Sequence, residues 1–402
     1  MSEIKEQQPA YISRVHLKGY KSIRDLEIDF KAGLNIIIGP NGSGKTNFLE
    51  FIYESQNNQT YPALMKEDFY FEIWANLERR TTAEGKLMLE KNGIYYEVRE
   101  KGFTNNELIQ ERLIRTNVNT NETKIGFIKD DSENPQSMYG GASMKVFFRG
   151  VNFIRFSSKY DIGNGLSFGI LKDYSGENVA TINSEVANPY ELFILIQTSL
   201  INIDFKNINH SEVREKFFVS NNDLIKNLQN FTPIKNLSID NESIIIQYID
   251  NRLKVSNVNF KFLVNNKWLF WNQLSDGTKR MFYIISQLTA NLDIFYFIEE
   301  PELGIHPDQL YLLMDFLKEQ SKEKQIIITT HSPEVLNILE KDELDRIIIT
   351  RFDGEKGTQM HHLSPKKIQK GINYMSKEGL TLKDFWVHSN LEEYDEEEYE
   401  VR

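Results

Sequence analysis

The sequence predicts an α/β fold, carrying a β-rich lobe and a short helical insertion between two motif-bearing halves. Three observations predict it. A short apolar strand, Leu34 to Ile38, runs into Gly39-Pro40-Asn41-Gly42-Ser43-Gly44-Lys45-Thr46 and then into an apolar-periodic helix. A second apolar strand, Ile294 to Ile298, ends in the paired acids Glu299 and Glu300. A third, Ile326 to Ile328, ends in Thr329, Thr330 and His331.

Composition permits such a fold and excludes several others. The chain has 402 residues, 40% hydrophobic, 26% charged and 12% aromatic, enough for a substantial core. Its net charge of −11 excludes a uniformly basic nucleic-acid sleeve, while a local basic patch stays open. The absence of cysteine excludes disulfides and thiolate metal sites. The opening "MSEIKEQQPA" is polar and shows no signal-peptide pattern. The longest apolar runs, "LDIFYFI" and "ELFILIQ", are far short of a membrane span, so the chain reads as a soluble cytoplasmic protein.

The elements follow in order. "ISRVHLKGYKSIRDLEIDF" alternates apolar and polar residues around Gly19 and reads as two strands leading into the loop strand. In the loop, glycines let successive backbone N–H groups point at phosphate oxygens, and the helix N-terminus adds positive charge. Lys45 is placed to reach the β- and γ-phosphates, and Thr46 to hold Mg²⁺. Residues 69–102 read as β-rich, with a hairpin signal at Asn92-Gly93. "FFRGVNFIRFSSKY" reads as a further strand, residues 189–230 as helical, and "IKNLSIDNESIIIQYID" as a hairpin.

"LSDGTKRMFYIISQLTAN" reads as a helix capped by Ser275 and Asp276. Gly277 in its first turn costs about 1 kcal/mol relative to Ala, so something must approach it closely. At the acidic strand, one carboxylate would hold hydrated Mg²⁺ and the next would orient and deprotonate the attacking water. Two solvated acids at a strand end are the plainer reading in isolation; the phosphate loop tips the balance. A lone histidine is usually structural, but His331 ends a third strand of the same type and would face a γ-phosphate. "IIITRFDGEKGTQMHHL" reads as a closing hairpin in which His361 and His362 face opposite sides. The acidic run "LEEYDEEEYEVR" reads as a solvated tail. The 71 residues after His331 (402 − 331) leave little room for a nuclease domain.

Taken in order, "GYKSI", "GPNGSGKTN", "LSDGTKR", "FIEEPELGIHP" and "TTHSP" resemble the motifs of ABC-type ATPases of the SMC/RecF/OLD branch. The nearest subgroup is the small bacterial ATPases of antiphage systems, which the closing "GLTLKDFW" also resembles. The resemblance implies an ATPase head with a mixed sheet and helices on both faces, an antiparallel β lobe, and no long coiled coil. It divides the chain into an N-terminal lobe (1–187), an insertion (188–265), a C-terminal lobe (266–387) and the acidic tail (388–402). It implies that Gly39, Asn41, Gly42, Ser43, Gly44, Lys45, Thr46 and Asn47 bind ATP. Glu299 stands on the Mg²⁺ side, Glu300 is the base and His331 the switch histidine. Lys21 and Ser22 lie near the nucleotide. Ser275 and the amide of Gly277 meet the γ-phosphate of a partner subunit. The implied partners are another copy of the chain, a separate effector such as a nuclease, and in some relatives nucleic acid; no membrane is implied. Two features depart from the family pattern. Glu299 stands where most ABC proteins have Asp, and no glutamine is placed to link nucleotide to the second lobe, Gln56 being too close to the loop helix. A RecF-like DNA-repair clamp and a transporter ATPase subunit are the alternatives. The signature, the "EEPE" strand and the chain length disfavour the transporter.

Overall fold

The computed structural model describes residues 11–57, 65–76, 80–90, 93–104, 107–117, 123–130, 151–154, 166–172, 178–182, 222–240, 242–243, 245–249, 252–290, 295–379 and 381–388. The chain opens with β1 (Tyr11–Tyr20), β2 (Ile23–Asp29), β3 (Leu34–Ile38) and α1 (Lys45–Asn57). An antiparallel run follows: β4 (Met65–Asn76), β5 (Arg80–Glu90), β6 (Gly93–Thr104), β7 (Glu107–Asn117) and β8 (Thr123–Asp130), then β9 (Val151–Ile154). Next come β10 (Leu166–Lys172), β11 (Asn178–Ile182), α2 (Asn222–Phe231), β12 (Ile234–Ile239), β13 (Ile245–Ile249), β14 (Arg252–Val258), β15 (Phe260–Val264), β16 (Lys267–Phe270) and α3 (Asp276–Ala290). The last third carries β17 (Phe295–Glu299), α4 (Pro307–Gln320), β18 (Gln325–Thr330), β19 (Ile347–Asp353), β20 (Gly357–His362), α5 (Pro365–Glu378) and α6 (Leu382–His388).

These elements group into two units. One comprises Met1–Ile154, Asp293–Glu302 and Leu317–Arg402; the other comprises Arg155–Leu292 and Leu303–Phe316. The first holds a sheet of 13 described strands, ordered β8-β7-β6-β5-β4-β1-β2-β20-β19-β3-β18-β17-β9. Five of them, β19, β3, β18, β17 and β9, run parallel. The rest pair antiparallel, which makes the sheet mixed as expected. Parallel strands are covered on both faces and carry continuous apolar runs, and every residue of "LNIII" and "QIIITT" is buried. Ile37, Phe295, Phe297, Ile327 and Ile348 share one core cluster with Phe48, Leu49, Phe51 and Ile52 of α1. Edge-on aromatic contacts, Tyr20 to Phe51 at 5.5 Å and Phe51 to Phe71 at 5.2 Å, carry that packing out to β1 and β4. The loop helix is thereby seated on the sheet whose strand ends carry the acids and the histidine.

The second unit holds a four-stranded sheet, β11-β10-β14-β13, and a three-stranded sheet, β12-β15-β16. The expected hairpin around Asn92-Gly93 is present as the β5–β6 pair, with Glu90 opposite Gly93. The expected hairpin over 234–250 is not. β12 pairs with β15, and β13 with β14, so the two strands lie in different sheets. The sequence offers two Asp-Asn turn signals, at 240–241 and 250–251. β13 and β14 flank the second, with Ile249 paired to Arg252. At the first, Ser243 N–H bonds the Asp240 carbonyl at 3.2 Å, and the long two-stranded ribbon passes from one sheet to the other. Of the helical reading for 189–230, α2 is observed and 189–221 lie outside the described residues, as does the acidic run after 388. Among the described residues no helix is long and apolar enough to cross a membrane.

Candidate functional site

The site is assembled at the C-terminal ends of three adjacent parallel strands. β3 lies between β19 and β18, and β17 lies beyond β18. The residues just past β3, β17 and β18 are therefore neighbours, although some 290 positions separate the first motif from the last. Past β3 the chain enters the glycine-rich loop, and α1 begins at Lys45. Gly44 has φ +98°, and a Cβ there would fall 2.0 Å from the Thr358 hydroxyl, so only glycine fits. Asn41, Gly42, Gly44, Lys45, Thr46, Asn47 and Glu300 line a cleft of about 160 Å³.

Each side chain in the loop has a definite partner or a definite lack of one. Lys45 donates to the carbonyls of Gly39 at 2.7 Å and Pro40 at 3.0 Å. Burial pulls its pKa below the usual lysine range, against the opposing pull of Glu300, Glu302 and Glu299. The Ser43 hydroxyl is buried with no hydrogen-bond partner among the described residues. The Thr46 hydroxyl donates to Glu299 Oε1 at 2.5 Å, tying the start of α1 to the end of β17. A hydroxyl and a carboxylate in contact fit a hard divalent cation, which needs few protein oxygens when a polyphosphate supplies others. Asn47 donates to the Ser22 hydroxyl at 2.7 Å, and Ser22 in turn bonds Thr358. Ser22 is thus held against the loop. Lys21, at φ +46°, pairs instead with Glu50 on α1 at 2.5 Å.

Glu300 occupies left-handed backbone, φ +43°, which costs a non-glycine residue roughly 1–3 kcal/mol. Its amide bonds the Thr329 carbonyl at 2.8 Å, and its side chain lines the cleft. His331 Nδ1 lies 3.2 Å from Glu300 Oε1. Sequence reasoning missed a third acid, Glu302. It is only 8% exposed. The Thr330 hydroxyl donates to its Oε1, which lies 3.8 Å from His331 Nδ1. Burial raises its pKa above the usual carboxylate range, against lowering contributions from Thr330, its own backbone and His331. The sequence signal was slight: one more acid in "EEPE", with nothing to mark it as buried.

Ser275 and Gly277 belong to the second unit. The Ser275 hydroxyl accepts from the Thr278 amide at 3.2 Å, a local cap at the start of α3. Trp271, in the 3-10 turn before α3, packs on Phe262 at 5.8 Å and on Phe282 at 5.7 Å. A Cβ on Gly277 would fall 2.6 Å from the carbonyl oxygen of Gly304. The close approach that demands this glycine is thus a backbone contact within the chain. The adjacent histidines also have local partners. The two ring nitrogens of His362 sit 3.1 Å from the Asp345 carbonyl and 2.9 Å from that of Asp29. Among the described residues no group of three or more His, Asp or Glu side chains could hold a metal ion.

Parts of the chain match known proteins. Residues 11–135 match the family model described as "AAA ATPase domain". Residues 164–337 match the one described as "AAA domain, putative AbiEii toxin, Type IV TA system". A protein of Helicobacter pylori named "ATP/GTP phosphatase" is 25% identical over 354 residues, covering 82% of this chain and 88% of the relative. The DNA replication and repair protein RecF of Desulfitobacterium hafniense is 46% identical over 50 residues, 12% of this chain and 14% of RecF. The SMC head domain of Thermotoga maritima aligns over 88% of this chain and 99% of its own, at 13% identity and a TM-score of 0.42.

Proposed function

We propose that this chain, an ATPase of the SMC/RecF-like ABC type, works as a Mg²⁺-dependent nucleotide switch that pairs with a second copy and controls a separate effector. The observation that carries the catalytic part is the meeting of Thr46 with Glu299, and of Glu300 with His331, beside one cleft. The loop amides and Lys45 bind the phosphates of ATP. Thr46 and Glu299 hold Mg²⁺, which when bound neutralises charge on the β- and γ-phosphates. Glu300 accepts the proton of the attacking water, and His331, bonded to Glu300, senses the γ-phosphate. Two exposed, mobile acids would need reordering at each turnover; a backbone-strained Glu300 bonded to His331 is already placed.

The effector is a separate protein, a nuclease being the leading class, and the setting is antiphage defence. The family description naming a toxin of a type IV TA system supports that setting. The RecF similarity reaches 110 residues, 26% of this chain, which gives the DNA-repair alternative support over about a quarter of the sequence. Glu300→Gln should keep ATP binding and slow hydrolysis by at least about 10²-fold. Lys45→Ala should weaken nucleotide binding itself. Both are read by equilibrium binding and steady-state ATPase assays. Hydrolysis by Glu300→Gln at the parental rate would remove Glu300 from the role of base. Co-purification with the products of adjacent genes identifies the effector.

A further inference from the structure

Glu302 belongs to none of the roles assigned so far, yet its surroundings are more constrained than those of Glu299 or Glu300. Its side chain is 7% exposed, against 23% for Glu300 and 37% for His331. Burying a carboxyl costs several kcal/mol unless hydrogen bonds compensate, so a fold that keeps one has a use for it or a strong partner. The partner is Thr330. Its hydroxyl oxygen accepts the Ser332 amide at 2.9 Å. The single hydroxyl hydrogen has Glu302 Oε1 as its nearer acceptor, with the Ser332 carbonyl farther off at 3.3 Å. One threonine thus fixes both the turn that carries His331 and the acid beneath it. Glu302 Oε2 is buried with no hydrogen-bond partner among the described residues. On the other side, His331 Nδ1 stands between two carboxylate oxygens, 3.2 Å from Glu300 and 3.8 Å from Glu302.

We infer that Glu302 is a positioning residue for ATP hydrolysis: pinned by the Thr330 hydroxyl, its buried carboxyl holds the His331 ring against Glu300. This rests on the reading of Glu300 as the base. Glu302 is not among the side chains that line the cleft, and it bears on the phosphate loop through its charge, which acts on Lys45 less strongly than that of Glu300. Its loss should therefore act mainly on the chemical step and change ATP binding little. A displacement of about 1 Å in a catalytic group can cost on the order of 10²-fold in rate.

The test compares Glu302→Ala, Glu302→Gln and Thr330→Val with Glu300→Gln as the reference. Glu302→Ala should lower kcat by about 10- to 100-fold while KM for ATP stays within about 2-fold. Glu302→Gln keeps the volume and the acceptor for Thr330, so it should recover most of that loss. Thr330→Val should lower kcat alone, and add little when combined with Glu302→Ala, because both remove one interaction. Parental kcat in Glu302→Ala, a KM effect without a kcat effect, or additive losses in the double variant would each overturn the inference. Should Glu302→Ala fail to fold, the Glu302→Gln and Thr330→Val pair decides by the same kcat and KM criteria. Full activity in Glu300→Gln would instead bring down the base assignment, a different result from any of these.

Discussion

His361 and His362 are neighbours in the chain, and the fold treats them differently. His362 meets two backbone carbonyls. Burial, together with the charges of Arg351, Lys367 and His362, pushes His361 down to about 4. A histidine with a depressed folded value contributes stability that is present above its ordinary value near 6.5 and lost as pH falls toward 4. Thermal melts should therefore show the parental midpoint falling between pH 6.5 and 4, and His361→Gln should flatten that fall. An equal slope in the variant would place the acid sensitivity elsewhere. The same contrast explains what could be read at this scale. Lys45, Thr46, Glu299, Glu300 and His331 announce themselves because each directly follows an apolar strand or a glycine loop. Glu302 does not, because an acid's meaning changes with burial, and burial is decided by Thr330, 28 positions away.

The elements were legible where one rule acted alone. β3, β17 and β18 are buried on both faces, so their apolar runs mark them within a residue or two. The ribbon β12–β15 was misread because two Asp-Asn pairs carry the same local turn chemistry, and tertiary pairing chose between them. Helix α3 and its need for a glycine at 277 were legible, but the group that approaches it was not: the carbonyl it meets belongs to Gly304, in a turn that sequence cannot place. Gly277→Ala should gain helix propensity of about 1 kcal/mol yet lose about 1–3 kcal/mol to the clash. The net expectation is a lower melting midpoint. A midpoint raised by the substitution would mean that the Gly304 turn yields easily, and would return the glycine to a role at a phosphate.

At the scale of the molecule, each unit gathers segments far apart in sequence, and the first interleaves β2, β20, β19 and β3. No local pattern encodes that order. Only the motif resemblance pointed to a mixed sheet. The proposed pairing of two copies has its own test. Lys45→Ala spoils the loop, and Ser275→Arg obstructs the α3 start; each alone should be nearly inactive. Mixing them should restore ATPase activity above the sum of the two, since a mixed pair holds one whole composite site. Because Ser275 caps α3, the arginine also removes about 1 kcal/mol of capping, so folding is verified by circular dichroism. Verified mixed pairs without recovery would count against action across subunits. The antiparallel run from β4 to β8 has a different consequence. There β5 to β8 bond only their neighbours in sequence, with β4 joining the run to β1 and β8 on the margin of the described sheet. Such a ladder can fray from one end, as stacked repeats do, without the whole unit opening. Peptide-level hydrogen exchange should be fastest across 107–130 and slow stepwise toward β1; uniform protection would mean the ladder opens all at once. Strand β3, rooted among the five parallel strands beyond β20, should keep its amide protons while that distant edge exchanges its own.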